Sequence, residues 1–349
     1  MKSTFKKAKR QRVKDKFSLF TFYFLLFTLC FLLVSGCHDS LRAPYTPSDT
    51  ASPDDLISEA VRIVQQGLAD ENPLVGVNAI EVVAATKRIR LMPKVQRLLR
   101  DESVPVVFAA ALAIGDMEYS LAKKEVAKLI NAEDENIGIA AVYAMSRFGS
   151  SESFELLQKA IASNNQTIRA NAVLLLGKSG DESALKFLYW ALQHKDSDDK
   201  VRFQAAEAIA MLGDERIYPK LWTMLISAYA DDRVMGVRAM GALGTVKAKN
   251  ALITMLADDV LEVRLAAAEQ LGKLGDTTGE AEVLDVFTKN LTAGLDKKGT
   301  ERVNVLTALA IGQIGTAPLT KYLPRLLKDG SKFVRIAAAK AVFQCSMKN

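Results

Sequence analysis

VRFQAAEAIAMLG, residues 201–213, recurs with variation nine times along this chain of 349 residues. The related stretches begin at Val75, Val106, Ile137, Ile168, Val201, Asp232, Val263, Val303 and Val334. Six of the eight intervals between these starts are 31 residues, and the other two are 33 and 40 residues. A fixed period of this size is typical of solenoids, in which each repeat is one supersecondary unit stacked on the next.

The pattern inside each repeat predicts a helical hairpin. Counting from the first residue of each stretch as zero, positions 0, 4, 8 and 11 fall on one face of a helix and are mostly apolar. Position 12 is glycine in six of the nine copies, which suits the left-handed residue that ends a helix. Asp181, Asp214 and Asp276 follow such glycines and are good N-caps for the next helix. We call that next helix the outer helix, and the helix carrying the quoted stretch the inner helix.

These residues resemble HEAT repeats, in particular the short HEAT-like class first described in phycobilin lyases. The resemblance rests on an Asp-rich turn followed by Val263-Arg264, Ala267-Ala268 and Leu271-Gly272, and on the equivalent residues of other copies. It covers about residues 54–349 and implies an all-α, right-handed α-solenoid (superhelix) of about nine HEAT-like hairpins. With neighbouring helices ~9–10 Å apart, such a stack would extend roughly 70–80 Å.

Two further structural expectations follow from the repeat. Alanine or another small residue at position 4, as in Ala205, is expected where neighbouring inner helices approach closely. The interval of 40 residues after Val263 predicts a longer outer helix and a protruding loop within residues 288–302. That loop is either a tolerated surface insertion or a binding loop.

The N-terminal residues resemble a bacterial lipoprotein signal. A basic segment, residues 2–16, precedes an uncharged apolar run, residues 17–34, and small residues then lead to Cys37. The resemblance implies cleavage after residue 36 and lipidation of Cys37. Residues 37–53, rich in Pro, Ser, Thr and Asp, then read as a disordered tether to the solenoid at residues 54–349. An uncleaved transmembrane helix is the alternative, since 18 apolar residues can span a bilayer. Both interpretations predict an extracytoplasmic protein of the bacterial cell envelope, facing the periplasm from the inner or outer membrane.

The net charge of the repeats gives no support for nucleic-acid binding. The chain carries +6 in total, but residues 1–36 contribute +7, which leaves −1 on the remaining 313 residues. Recognition of nucleic acid usually requires a basic face. The basic, aromatic concave face of the HEAT-fold alkylpurine DNA glycosylases therefore has no counterpart in this composition.

We find no pattern of catalytic residues in the sequence. Beyond His38 the sequence has one histidine, His194, and no helix carries paired His and Glu as in the di-iron hydroxylase branch of HEAT proteins. Cys30, Cys37 and Cys345 form no disulfide or metal pattern. We therefore expect no enzyme activity, no cofactor and no metal.

A partner surface is expected on the concave face, which inner helices line in HEAT solenoids. At position 6, three consecutive repeats carry Leu112, Tyr143 and Leu174, and an exposed apolar strip of this kind suits a protein partner. Packing of these three side chains between inner helices is the alternative. The charged candidates near the strip are Asp116, Arg147, Lys178, Glu207 and Arg238.

Taken together, these residues predict a non-catalytic adaptor that is tethered to a membrane and presents its concave face to another envelope protein. The alternative is a bilin-lyase-like accessory protein or another enzyme-associated HEAT protein. The last helix leaves Phe333, Ile336 and Phe343 without an obvious cover. It is expected to pack on its own tail or on a second molecule, and a homodimer is the less favoured of these outcomes.

Overall fold

The computed structural model describes residues 52–150 and 153–348, and over these residues the chain folds into nine helical hairpins. The predicted all-α solenoid is confirmed. The signal sequence, Cys37 and all but the last two residues of the tether lie outside the described residues, and the first helix begins at Pro53 rather than residue 54. None of the described helices is both long enough and apolar enough to cross a bilayer.

Outer and inner helices alternate along the chain. The outer helices are α1 (Pro53–Gly67), α3 (Met92–Arg97), α5 (Lys123–Lys128), α7 (Ser153–Ala160), α9 (Leu185–Gln193), α11 (Tyr218–Leu225), α13 (Val246–Thr254), α15 (Glu280–Thr288) and, in the last hairpin, α17 (Ala317–Thr320) with α18 (Leu323–Leu327). The inner helices are α2 (Pro73–Ala85), α4 (Val104–Asp116), α6 (Glu135–Arg147), α8 (Gln166–Ser179), α10 (Asp199–Met211), α12 (Ala230–Leu243), α14 (Leu261–Lys273), α16 (Lys297–Ile314) and α19 (Lys332–Ser346).

The register of the inner helices is confirmed by burial. Every residue at positions 4 and 8 is buried in all nine copies. Thr307 replaces alanine at position 4, and its hydroxyl donates to the carbonyl of Val303 at 2.7 Å, so the buried oxygen keeps a partner.

The predicted helix ends are also confirmed. All six position-12 glycines have φ between 64° and 85°. Lys87 and Glu118 occupy position 12 in the first two repeats and adopt the same left-handed conformation, with φ of 51° and 47°. The carboxylates of Asp181, Asp214 and Asp276 each accept from the backbone N–H two residues further on.

An arginine at position 1 ties five inner helices to the turns that precede them. In each case its guanidinium donates to a carbonyl at or beyond the end of the outer helix of the same repeat. The five are Arg169, Arg202, Arg233, Arg264 and Arg335. Carbonyls at a helix end have no partner within the helix, so this arginine acts as a capping residue for the hairpin.

The expectation that position 4 brings neighbouring inner helices together is wrong. Position 4 lies inside the hairpin: a Cβ on Gly236 would come within 2.9 Å of Met224 Cβ on the outer helix of the same repeat. The close approach between neighbouring inner helices occurs at position 9, which is glycine in five copies. A Cβ on Gly177 would lie 2.8 Å from the Cα of Ala208, and one on Gly312 would lie 2.7 Å from the Cα of Ala341.

The extra residues of the 40-residue interval also lie elsewhere than predicted, in the inner helix rather than the outer one. The outer helix α15 has nine residues, whereas the inner helix α16 has 18 and starts early, at Lys297. Asp296 caps this extension by accepting from the N–H of Gly299 at 2.7 Å. The insertion therefore lengthens the inner helix, and a short loop joins it to α15.

The solenoid closes on itself, which contradicts the extended stack of hairpins. Helix α19 packs against both α1 and α2, so α1 occupies the place that a tenth outer helix would take. Of the three residues expected to need a cover, Ile336 and Phe343 are buried and Phe333 is half-buried. Neither the chain's own tail nor a second molecule covers them, because the first repeat does so.

Candidate functional site: the closed centre of the ring

The nine inner helices of the described chain surround a cavity of about 450 Å³. Because each hairpin enters its inner helix at the same edge, these helices run in the same direction around the cavity. Residues from the first, the second and the fourth to ninth inner helices line it. The surface that an open solenoid would present to a partner therefore faces the interior of the ring.

Charged side chains at position 6 occupy one arc of the cavity wall. Glu207 and Arg238, on consecutive repeats, are buried and lie 3.1 Å apart. Lys340 and Glu81, on the last and first repeats, lie 2.7 Å apart. Glu269 lies between these pairs, and the apolar Leu309 of the eighth repeat stands between it and Lys340. The signs of the charged residues alternate along this arc, which favours their mutual attraction.

The pKa values of this arc reflect its enclosure. Burial in the ring raises the pKa of Glu269, although Lys340, Arg238 and Lys273 act in the opposite direction. For Lys340, burial acts to lower the pKa, but Glu81 and Glu269 outweigh it, and the pKa is raised. The positive charge on Lys340 is thus stabilised by its two acidic neighbours.

The predicted exposed apolar strip is wrong. Leu112, Tyr143 and Leu174 are only 6%, 1% and 3% exposed. They form the other arc of position-6 side chains and pack between inner helices, which was the alternative interpretation. Their burial follows from ring closure: residues that face the axis of an open superhelix face one another in a closed one.

The charged candidates around this strip form specific pairs. The Tyr143 hydroxyl donates to Asp116 at 2.7 Å, and the Nζ of Lys178 lies 3.0 Å from the same carboxylate. Asp116 belongs to the second repeat and Lys178 to the fourth. This ion pair therefore joins two repeats that are not adjacent in the sequence. Burial and the charge of Asp116 raise the pKa of Tyr143. Arg147 pairs with Glu118 at 2.6 Å.

The ring closure has its own polar contacts outside the cavity. Lys332 pairs with Asp70 at 2.6 Å. The guanidinium of Arg88 stacks 3.9 Å from the centre of the Phe343 ring and donates to the Ser346 hydroxyl at 3.3 Å. We call the contact between the first and last hairpins the seam. Together with the pair of Lys340 and Glu81, these contacts join the two hairpins at several points along the axis of the inner helices.

Large apolar side chains are exposed on the outside of the ring, where the repeat pattern did not predict a site. Trp190 on α9 and Trp222 on α11 are 38% and 39% exposed, and Ile226 and Tyr229 follow in the next turn. Trp190 packs on His194 with ring centres 4.2 Å apart, and Tyr218 stacks on Trp222. Both tryptophans of the chain thus lie on neighbouring outer helices. Their position on the outer helix, away from the apolar face, was a signal present in the sequence.

Within the described ranges, 52–150 and 153–348, no group of three or more His, Cys, Asp and Glu side chains is arranged to hold a metal ion. The one described cysteine, Cys345, is half-buried, and burial raises the pKa of its thiol.

Comparisons with known proteins agree with the repeat architecture. A family model described as HEAT repeats matches residues 95–166 and 155–234, and a HEAT repeat model matches residues 249–277. The matched ranges together cover slightly less than half of the chain, and the described repeats on either side of them keep the same register. No curated protein matches the sequence.

Several solved structures are similar to this chain at low sequence identity. The complex of CpcE and CpcF of phycocyanin lyase from Nostoc is 16% identical, with a TM-score of 0.43, over 78% of this chain and 100% of that chain. Human deoxyhypusine hydroxylase is 14% identical, with a TM-score of 0.37, over 76% and 99%. Importin beta is 16% identical, with a TM-score of 0.33, over 84% of this chain and 45% of that one.

Proposed function

We propose that this protein is a non-catalytic scaffold that binds a protein partner and is held on the extracytoplasmic side of a bacterial membrane by a lipid on Cys37. The HEAT-like solenoid supports the scaffold role, since folds of this kind generally bind proteins. The lipid anchor rests on the N-terminal sequence pattern.

The observation that carries the binding proposal is the exposure of four apolar side chains on two neighbouring outer helices and in the turn after the second. These are Trp190, Trp222, Ile226 and Tyr229, which we call the aromatic patch. Because the inner helices surround a cavity of only about 450 Å³, a folded protein partner would contact the outer helices or the edges of the ring. Tryptophan and tyrosine are enriched among the residues that dominate binding energy at protein interfaces. Exposed apolar residues on neighbouring elements mark such interfaces.

Pairing within the ring supports a non-catalytic role for its centre. Glu207 with Arg238, Glu81 with Lys340, and Asp116 with Tyr143 and Lys178 are each held by a partner from another repeat. Charges engaged in this way stabilise the packing of neighbouring inner helices. We assign these seven residues, six charged groups and one tyrosine, to ring structure and the aromatic patch to partner binding.

The test is crosslinking in native membranes followed by mass spectrometry, comparing the wild type with a Trp190→Ser/Trp222→Ser double variant. Leu295→Ser is the matched control, because Leu295 is also an exposed apolar residue but lies in the loop before α16. We expect the double variant to lose its crosslinked envelope protein by at least about tenfold and the control to keep it. Equal capture by all three proteins would rule out the patch.

The anchor is tested separately by the mass of the mature N-terminus. A lipid-modified Cys37 at the N-terminus, absent from a Cys37→Ser variant, is the expected result, and an intact residue 1 in the membrane would indicate the transmembrane alternative. A bilin-lyase-like accessory role is the alternative function. It would be identified by a pigment or cofactor that copurifies in a stoichiometric amount.

A further inference from the structure

One edge of the ring is apolar and basic next to the seam. This edge is where inner helices end and outer helices begin. Leu121, Met347 and Ile89 lie on it and are 75%, 55% and 51% exposed. Leu121 belongs to the turn that follows the second inner helix, Met347 to the turn after the last, and Ile89 to the turn after the first. The contact of Arg88 with Ser346 brings the turns of Ile89 and Met347 together across the seam.

Basic side chains flank each of these apolar residues. Exposed Lys87 and Arg90 lie on either side of Ile89. Lys123 and Lys124 follow Leu121, and Lys348 follows Met347; all three are exposed. Acidic groups on this edge include Glu118, which pairs with Arg147, and Asp54 and Asp55 at the start of α1. Positive charge predominates in this sector.

The opposite edge of the same sector is mainly acidic. The turns that lead into the first three inner helices carry Asp70 and Glu71, Asp101 and Glu102, and Glu133 and Asp134. Asp101 accepts from the N–H of Ser103, and Asp134 accepts from the N–H of Asn136 in the first turn of α6. Two basic residues also lie at this edge: Arg100, which precedes Asp101, and Lys332, which pairs with Asp70. The sector is therefore polarised along the inner-helix axis, with basic and apolar residues at one end and acidic residues at the other.

The chain also reaches the ring at the basic edge. Helix α1 ends in the turn that leads to the start of α2, so its first residue lies about 22 Å away, at the other edge. Ser52 caps this end of α1. Whatever precedes Ser52 is therefore joined to the ring on the side where Ile89, Leu121 and Met347 are exposed.

We propose that this basic, apolar edge lies against an anionic phospholipid surface. Lysine and arginine next to exposed aliphatic side chains suit the boundary between headgroups and acyl chains, where the amines meet lipid phosphates and the aliphatic groups enter the apolar layer. The acidic edge then faces away from the membrane. The inference rests on the proposed function in one respect, because the lipid on Cys37 is what brings the ring to the bilayer.

The experiment reconstitutes the full chain into phosphatidylcholine vesicles, with or without phosphatidylglycerol, that contain acyl-brominated lipids. Trp190 and Trp222 are replaced by phenylalanine, and a single tryptophan is introduced as Leu121→Trp or, as the matched control, Glu102→Trp. Leu121 and Glu102 lie at opposite ends of α4, roughly 20 Å apart. Flotation of the vesicles shows whether the chain is anchored, and melting curves show that each variant is folded.

We expect bromine quenching in the Leu121→Trp protein, several-fold stronger with phosphatidylglycerol than without it, and little quenching in the Glu102→Trp protein. High salt, or Arg90→Glu with Lys123→Glu and Lys124→Glu, should remove the difference, because the attraction is electrostatic. Flotation without preferential quenching in the Leu121→Trp protein would overturn the docking proposal and leave the anchor intact. If the chain does not float at all, both the anchor and the docking edge are wrong.

Discussion

Lys340 Nζ lies 2.7 Å from Glu81 Oε1, although the two residues are 259 positions apart in the sequence. This contact joins the last inner helix to the first and closes the ring of inner helices. Both side chains are largely enclosed, so the pair is screened less than a surface ion pair. Each charge depends on the other for compensation, because removing one partner leaves a partly buried charge behind.

Charge reversal at the seam should therefore destabilise the ring, and reversal of both partners should restore part of the loss. We expect Glu81→Lys and Lys340→Glu each to lower the free energy of unfolding by roughly 1–3 kcal/mol, measured by urea denaturation. The double variant should recover part of this, but not all, because Glu269 would then face a glutamate at position 340.

Glu59→Lys is the control for this charge-reversal experiment. It breaks the pair of Glu59 with Arg62, which lies within α1 and is more exposed. Exposed pairs contribute at most about 1 kcal/mol, so this change should be small. Strict additivity of the two seam variants would mean that Lys340 and Glu81 do not interact.

A second prediction concerns the pH dependence caused by Glu269. Its pKa is raised by burial, so the folded state holds its proton more tightly than the unfolded state does. The stability contributed by this group is complete below the ordinary glutamate pKa of 4.5 and is lost as the pH rises through the raised value. Glu269→Gln, which cannot ionise, should be more stable than the wild type at neutral pH. Melting curves from neutral to acidic pH should show the stability difference between Glu269→Gln and the wild type disappearing below pH 4.5. A stability difference that is independent of pH would contradict the assignment.

Glycine at position 9 gives a third prediction, with a control inside the chain. A Cβ on Gly177 would lie 2.6 Å from Ala208 Cβ and 2.8 Å from its Cα, whereas one on Gly76 would meet nothing closer than 3.8 Å. Both glycines are in inner helices, where alanine is the better helix former by about 0.5–1 kcal/mol. Gly76→Ala should therefore stabilise the protein, and Gly177→Ala should destabilise it by about 1–3 kcal/mol through overpacking. Denaturant midpoints that shift in the same direction would show that position 9 is not a close contact.

The left-handed residue after each inner helix gives a fourth prediction. Lys87 is held at φ 51° without the freedom of a glycine, whereas Gly213 has φ 76° and a Cβ added there would meet no atom within 4 Å. Lys87→Gly should raise stability by about 0.5–1 kcal/mol because it relieves this conformation, after allowing for the larger entropy of unfolded glycine. Gly213→Ala should cost about 1 kcal/mol for the converse reason. Thermal melts of the two variants should move in opposite directions.

The repeat pattern predicted the hairpins and their register but not the closure of the ring. The spacing of the apolar positions depends on contacts within one repeat and between neighbours, and these recur nine times, so the sequence reports them directly. Closure depends on the small rotation between successive hairpins added over nine repeats, which no single repeat encodes. Lys340 and Glu81 are a sequence signal for closure, since position 6 carries opposite charges in the last and first copies. That signal becomes interpretable only when the two ends are already expected to meet.

The candidate site was misplaced for the same reason. Leu112, Tyr143 and Leu174 were correctly assigned to the helix face that points to the axis, but the axis of a closed ring is its interior. The position-9 glycines were visible in the sequence as Gly177-Lys178 and Gly272-Lys273, yet their role depends on the distance between neighbouring helices. Trp190 and Trp222 became candidates once the inner face was known to be closed.

Tyr143 gives the last prediction, which separates the two interpretations of the apolar strip. On an exposed strip, Tyr143→Ser would weaken partner capture and leave stability unchanged. In the closed ring, it should lower the free energy of unfolding by about 3–5 kcal/mol, since a buried aromatic side chain is lost. Tyr143→Phe removes only the hydroxyl that donates to Asp116, and because Lys178 remains beside that carboxylate, the cost should be about 1 kcal/mol. Urea denaturation of both variants measures these costs, and a Tyr143→Ser protein as stable as the wild type would show that the centre of the ring is open.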